Sequence, residues 1–218
     1  MKSSIQRLYF PLIIIVLGMT LCIQGMYRDT VNFFPNEKPF IAYLWVSPNG
    51  KKICAASQCG PLWLSDVMDN EDVESYNTSA IKVLLFGHID FITTAVFSSD
   101  SEMLLTGSRD CTARLWDVVD GEERACFEGH SRAVNVVGID SSNSLVLTGS
   151  DDCTLRLWRV EDGKQLFSIK HTASVCSASF NEDNQEFFSS SVDGRKYIWS
   201  LFIKNKTLCV CLKDDESQ

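Results

Sequence analysis

The stretch TGSRDCTARLWDV at residues 106–118 returns almost unchanged as TGSDDCTLRLWRV at residues 148–160. A looser copy, SSSVDGRKYIWSL, occupies residues 189–201, and a worn copy, AASQCGPLWLSDV, occupies residues 55–67. Self-similarity at a period of about forty residues indicates an array built from one supersecondary unit. The sequence therefore predicts four repeated units, three well formed and one degenerate.

The histidines of the chain keep the same frame as the repeated phrase. His88, His130 and His171 each lie 22 residues before an aspartate and 28 residues before a tryptophan. Two spacings that recur three times are not a chance pattern. Each unit is therefore predicted to join a histidine to the repeated phrase in space.

The residues between these landmarks have strand periodicity. Runs such as FITTAVF (91–97) and EMLLTGS (102–108) are short, apolar or β-branched, and separated by turn sequences such as RDC and VDGE. Outside the first residues of the chain no helical pattern is found. The fold class predicted is all-β, with four antiparallel strands a to d in each unit; the units span residues 41–86, 91–128, 133–170 and 174–212.

The Gly-His pairs at residues 87–88 and 129–130, together with the Leu-Trp-Asp triplet at 115–117, resemble the WD40 family of β-propellers. The resemblance covers roughly residues 38–212. It implies that each unit is a propeller blade and that each complete blade contains a hydrogen-bonded tetrad. The implied tetrads are His88, Thr106, Asp110 and Trp116 in blade 2, His130, Thr148, Asp152 and Trp158 in blade 3, and His171, Ser189, Asp193 and Trp199 in blade 4.

Two alternatives concern these tetrads. Ser108, Ser150 and Ser191 lie two residues further along the same strand face and could supply the hydroxyl instead. A hydroxyl, a histidine and an aspartate also resemble a catalytic triad. Three equivalent sites and the lack of a Gly-x-Ser-x-Gly elbow favour a structural role. The chain is therefore predicted not to be an enzyme, and no cofactor is expected.

Blade 1 lacks the tetrad. Its frame positions hold Glu37, Ala55, Cys59 and Ser65. Four blades are also few for a closed ring, since the family usually has about seven, and open strand edges invite pairing. The chain is expected to be an incomplete, open array or one completed by self-association; a strained four-bladed ring is the third alternative.

Residues 1–25 form a hydrophobic segment that begins with basic residues, followed by a linker at 26–40. This pattern is typical of a signal peptide or short membrane anchor, and a leader foreign to the domain is the alternative. If the chain crosses a membrane, Asn77 and Asn205 become glycosylation sites. Localisation is therefore open between cytoplasmic, as the resemblance implies, and membrane-bound or secreted. Residues 213–218 are predicted to be an acidic tail.

Composition narrows the partners. The formal net charge is −8 and no basic cluster is present, so nucleic acid is not expected as a ligand. The nine cysteines have neither a disulfide framework nor the spacing of a zinc site. Proteins are therefore the expected class of partner.

The resemblance implies that the loops before strand a and at the b–c turn bind those partners. Aromatic and arginine side chains are the usual anchors of protein interfaces. The candidate partner-binding residues are Phe91, Arg109, Arg132, Asp90 and Asp151. The leading hypothesis is a non-enzymatic scaffold that mediates protein–protein interactions in a multiprotein complex; the alternative is a membrane-anchored or secreted propeller that acts as a receptor-like or adhesion module.

Overall fold

The computed structural model describes residues 41–57, 62–66, 81–204 and 207–215. These residues form four separate four-stranded antiparallel sheets, and within each sheet neighbouring strands follow one another in the chain. The prediction of an all-β array of four units is confirmed. We number the sheets as blades 1 to 4.

The strands of the first two blades have short connections, as the turn sequences predicted, except that residues 67–80 separate the third and fourth strands of blade 1. Blade 1 contains β1 (Ile41–Val46), β2 (Lys52–Ser57), β3 (Leu62–Asp66) and β4 (Ile81–Leu85). Blade 2 contains β5 (Ile92–Phe97), β6 (Met103–Ser108), β7 (Ala113–Asp117) and β8 (Glu123–Phe127).

The last two blades repeat this arrangement. Blade 3 contains β9 (Val134–Ile139), β10 (Leu145–Ser150), β11 (Thr154–Arg159) and β12 (Gln165–Lys170). Blade 4 contains β13 (Val175–Phe180), β14 (Glu186–Ser191), β15 (Lys196–Lys204) and β16 (Thr207–Asp215). The final hairpin is longer than expected: β16 extends to Asp215, so residues 213–215 of the predicted acidic tail are strand. The Lys213 Nζ lies 2.6 Å from Glu186 Oε1 and ties this extension to β14.

The hydrophobic core lies between the blades and has three parts. Leu64 of blade 1 packs with Leu104 and Trp116 of blade 2. Leu105 of blade 2 belongs to the same cluster as Trp158 of blade 3, and the cluster between blades 3 and 4 contains Leu147, Leu157 and Phe187. Along strand b, successive side chains face opposite neighbours, as the period of two requires. Each blade is therefore stabilised mainly by the blades beside it.

Two glycines allow the close approach of these faces. A Cβ on Gly107 would lie 2.9 Å from Val134 Cγ1, and one on Gly149 would lie 2.6 Å from Val175 Cγ1. Val134 and Val175 are the first residues of β9 and β13. The same contact therefore sets the spacing of blades 2 and 3 and of blades 3 and 4.

The first strand of every blade carries a β-bulge. The register shifts between Ile92 and Thr94 in β5, and between Val134 and Val136 in β9. The residues skipped are Thr93 and Asn135. A bulge adds twist and turns a side chain away from the alternating pattern. The first strands also lie next to one another, β1 by β5, β5 by β9 and β9 by β13, so these side chains meet along one edge of the array.

The face of blade 4 that points away from blade 3 is more polar than the equivalent faces of blades 2 and 3. Ala113 of blade 2 and Leu155 of blade 3 are buried against the following blade. The register places Lys196 at the same position in blade 4, where it is exposed. Ser179, also exposed, pairs with Phe188 where blade 3 has Gly138 paired with Leu147.

Several predictions concern residues outside those described: the segments 1–25 and 26–40, the sequons at Asn77 and Asn205, and the frame positions Glu37 and Cys59. Within the described ranges, no helix has the length and hydropathy required to cross a membrane.

Candidate functional site

The tetrad of blade 2 is assembled as a continuous chain of hydrogen bonds. His88 Nδ1 lies 2.7 Å from Asp110 Oδ2, and His88 Nε2 lies 2.8 Å from Thr106 Oγ1. The indole of Trp116 donates to the same Thr106 oxygen at 2.9 Å. One assignment satisfies every atom: the imidazole donates from Nδ1 to the carboxylate and accepts the threonine proton at Nε2.

Blade 3 repeats this geometry. His130 Nδ1 lies 2.8 Å from Asp152 Oδ2, and His130 Nε2 lies 2.8 Å from Thr148 Oγ1. Trp158 donates to Thr148 Oγ1 at 2.8 Å. In both blades the hydroxyl is therefore the threonine; Ser108 and Ser150 instead donate to the backbone oxygens of Asp90 and Arg132 at 3.1 Å.

The protonation states follow from these contacts. Burial alone would raise the pKa of Asp152, but hydrogen bonds from Thr154 and His130 outweigh it and lower the pKa to about 2. The same balance, with His88 and Thr112 as donors, holds the pKa of Asp110 well below its usual range. Burial lowers the pKa of His130 despite the opposing effect of Asp152. The pair is therefore a carboxylate and a neutral imidazole near pH 7.

The tetrads have no accessible nucleophile. Thr106 and Thr148 are completely buried, and each hydroxyl already accepts an indole proton. A substrate carbonyl cannot reach either oxygen. These side chains satisfy one another inside the blade, as buried polar groups must.

Blade 4 departs from the predicted tetrad. Trp199 donates to Ser189 Oγ at 2.8 Å, and that hydroxyl lies 3.3 Å from His171 Nε2. Asp193, however, does not bond to His171, and the buried His171 Nδ1 has no hydrogen-bond partner among the described residues. The carboxylate accepts instead from Thr172 Oγ1 and, at 2.5 Å, from Ser191 Oγ.

The cause is one residue in the b–c turn. Thr112 and Thr154 each donate their hydroxyl to the turn aspartate at 2.6 Å, which leaves the other oxygen for the histidine. Arg195 stands at this position in blade 4 and has no hydroxyl. Its backbone N–H reaches Asp193 Oδ1 only at 3.3 Å. Without that anchor the carboxylate stays with Thr172 and Ser191, and its Oδ2 lies 3.9 Å from Arg195 Nε.

A second set of residues lies at the same end of the blades, in the b–c turns. The backbone N–H groups of Arg109, Asp151 and Val192 donate to the residue that precedes strand a of the same blade, at 2.9, 3.0 and 2.9 Å. One repeated hydrogen bond thus presents a cation, an anion and an apolar side chain at equivalent positions of three successive blades.

An open groove of about 510 Å³ runs beside these turns. Three of the five predicted partner-binding residues line it: Phe91, Arg109 and Asp151. The other lining residues are Tyr43, Ile92, Thr93, Ala133 and Asn135. Phe91 is 37% exposed and Tyr43 50% exposed, so the walls include two accessible aromatic rings.

Both charged walls are held in place. The Arg109 guanidinium carbon lies 5.1 Å from the centre of the Phe91 ring, a cation–π contact. Asp151 Oδ1 accepts from Asn135 Nδ2 and from Ser174 Oγ, both at 2.5 Å. The remaining predicted residues lie outside the groove: Arg132 is exposed, and Asp90 Oδ1 accepts from the Phe91 backbone at 2.7 Å.

The sequence analysis missed Tyr43, Thr93 and Asn135 as groove residues. Thr93 and Asn135 are bulge residues, and a regular alternation of the strand would have turned them differently. Tyr43 follows the corresponding register shift in β1. No local sequence signal distinguishes a bulge from regular strand here.

The fold is a stack of four-stranded antiparallel blades, and two of these blades contain a His–Asp–Thr–Trp tetrad. The model of the WD domain, G-beta repeat matches residues 79–117, 121–159 and 163–200. The chain belongs to the WD40 family.

Curated relatives are WD-repeat proteins of diverse description. The chain is 40% identical over 136 residues to WD repeat-containing protein 88 of Homo sapiens, a match that covers 62% of this chain and 29% of that protein. It is 30% identical over 174 residues to the guanine nucleotide-binding protein subunit beta of Oryza sativa subsp. japonica, covering 78% of this chain and 35% of that protein. General transcriptional corepressor TUP1 of Saccharomyces cerevisiae is 29% identical over 76 residues, 35% of this chain and 11% of that protein. The matches span about a third or less of these relatives.

Proposed function

We propose that this chain is a non-enzymatic scaffold that binds protein partners at the b–c turn end of its blades. The observation that carries the proposal is the groove flanked by Phe91, Arg109 and Asp151. Aromatic and arginine side chains dominate the binding energy of protein interfaces. Here they lie next to the ends of strands that inter-blade packing fixes, which keeps the ordering cost of binding low.

The interior of the blades supports a binding role over catalysis. The hydroxyls that resemble a triad are sealed in the tetrads of blades 2 and 3. Relatives named as a corepressor and as a G-protein subunit indicate that the family serves in assemblies. Their own partners and activities are not transferred, because the matched segment is a small part of each.

The test is affinity capture with the full chain. Arg109→Ala and Phe91→Ala should lose proteins that the unmodified chain retains. Arg159→Ala is the matched control, since Arg159 is exposed, lies at the far end of its blade and, among the described residues, pairs only with nearby Asp162 at 3.2 Å.

The expected outcome is that proteins bound stoichiometrically disappear with the two groove variants and persist with the control, while all variants melt at the same temperature. Capture of the same proteins by every variant would place the interface elsewhere. If the unmodified chain captures no protein in stoichiometric amount, the scaffold function itself is contradicted.

A further inference from the structure

We infer that the groove binds an extended peptide segment that carries both an acidic and a basic side chain, the acid against Arg109 and the base against Asp151. The inference rests on the proposed function and specifies its partner. It follows from four features of the groove: an unpaired cation, a half-paired anion, their separation, and the aromatic walls.

The cation is Arg109. Its guanidinium makes no hydrogen bond and no ion pair with any described residue, although it is pinned over Phe91. The backbone beneath it is fixed as well, since Arg109 N donates to Phe91 O at 2.9 Å. A guanidinium offers five donors in a planar fork that matches a carboxylate. Arg109 is therefore preorganised for a carboxylate that none of the described residues provides.

The anion is Asp151. Both of its side-chain hydrogen bonds, from Asn135 and Ser174, fall on Oδ1. Within the described part of the chain, Oδ2 has no donor. The two donors come from blades 3 and 4, so the carboxylate is oriented from both sides. One oxygen is committed to structure and the other is directed to an incoming cation.

The two charges do not neutralise each other. They occupy equivalent turn positions of successive blades, and no ion pair joins them among the described residues. The groove between them therefore has a positive end and a negative end. Complementary charge on a ligand sets its direction as well as its affinity.

The walls favour a peptide over other dipolar ligands. Tyr43 and Phe91 present exposed aromatic rings on the first two blades, and Thr93 and Asn135 are polar side chains on the bulged strands. Aromatic-lined grooves are one of the recurring kinds of site at which extended peptides dock. A polyanion is disfavoured, because Asp151, Asp90 and the net charge of −8 repel it.

The probe is a display library of random twelve-residue peptides, selected on the full chain. Selected peptides should carry one Asp or Glu and one Lys or Arg in a constant order. Synthetic copies should bind at least about tenfold more weakly to Arg109→Ala and to Asp151→Asn, the loss expected for one charge-assisted hydrogen bond. Arg159→Ala should bind them as the unmodified chain does.

A charge exchange tests direction. The double variant Arg109→Asp, Asp151→Arg should prefer peptides with the acid and base in reversed order, and its melting temperature shows whether it is folded. If it is not, Arg109→Asp alone should reject the original peptides and accept copies in which the acid is replaced by lysine.

Other outcomes separate the two proposals. Peptides without a charge preference, or peptides held equally by the groove variants, would overturn the inference and leave the scaffold function intact. No selected peptide at all would also overturn it. If affinity capture fails while dipolar peptides still bind at the groove, the recognition chemistry stands and the scaffold function fails.

Discussion

A single hydroxyl decides whether a tetrad closes. In blades 2 and 3 a threonine two residues after the aspartate fixes one carboxylate oxygen, and the other oxygen then meets the histidine. In blade 4 Arg195 takes that position, and a buried imidazole nitrogen is left without a partner. Buried unpartnered groups cost about 1–3 kcal/mol. Blade 4 therefore carries a local defect that one substitution can repair.

We predict that Arg195→Thr stabilises the protein. The new hydroxyl should hold Asp193 in the position seen for Asp110 and Asp152, so that the carboxylate reaches His171. Giving His171 a partner is worth about 1 kcal/mol. Chemical unfolding measures the gain, and Arg195→Ala is the control, because it removes the arginine without adding a hydroxyl. Equal stability of the two variants would contradict the explanation.

Stability should fall in acid in two stages. The folded pKa of His130 lies below its ordinary value of 6.5, so the unfolded chain binds more protons and stability declines as the pH falls from about 6.5 through the folded pKa. The pKa of Asp152 is lowered from 3.8 to about 2, which adds a loss of about 1–2 kcal/mol between those values. Urea unfolding at a series of pH values measures both. Asp152→Asn should reduce the lower stage without removing it, because the pKa of Asp110 is lowered as well; a slope unchanged by that variant would argue against the assignment.

The tetrads also show how far a sequence can predict a site. The recurring spacing of His88, Asp110 and Trp116 predicted which residues meet, because a repeated unit places equal positions in equal surroundings. The open tetrad of blade 4 depends on a residue outside the motif, and a frame match alone could not reveal it. The groove was predicted in part: Arg109 and Asp151 lie in recognisable turns, whereas Thr93 and Asn135 depend on bulges that only the backbone shows.

The contact between neighbouring blades depends on strand b, the second strand of each blade, lying close to the first strand residue of the next blade. Gly107 and Gly149 make this possible because they have no Cβ. Val134 and Val175 fill the space, and their branched side chains have little rotamer freedom with which to yield. Strand b therefore has little tolerance for added side-chain volume at these two glycines.

We predict that Gly107→Ala destabilises the protein by about 1–3 kcal/mol. The added Cβ would lie 2.9 Å from Thr94 Cγ2 and 3.1 Å from the backbone oxygen of Val134. Gly138→Ala is the matched control, since its Cβ would meet no atom nearer than 3.6 Å. Thermal and urea unfolding should show a loss for the first variant alone; similar behaviour of both would refute close packing at Gly107.

The outward face of blade 4 differs from the faces that are packed between blades. The outward face of blade 4 replaces buried apolar positions with Lys196 and Ser179. A lysine inside an inter-blade core would have to give up its hydration without a partner, which is costly. This face therefore combines the polar Lys196 and Ser179 with the exposed rings of Phe188 and Phe202.

We predict that Lys196→Leu promotes self-association. The leucine side chain would lie beside the apolar residues of the same sheet face. It would recreate the apolar surface that Leu155 presents in blade 3. Sedimentation velocity over a range of concentrations should show larger species for this variant than for the unmodified chain. Lys164→Leu, an exposed lysine outside any strand, is the control. If the Lys196→Leu variant shows no larger species at any concentration, the lysine does not protect this face from self-association.

The glycine–valine contact has a consequence for growth of the array. Because Gly107 meets Val134 as Gly149 meets Val175, blade 3 offers on one side the surface that it accepts on the other. If one such blade were duplicated in tandem, the two copies would already have matching interfaces. Array length can then change by copy number, with no new surface to evolve.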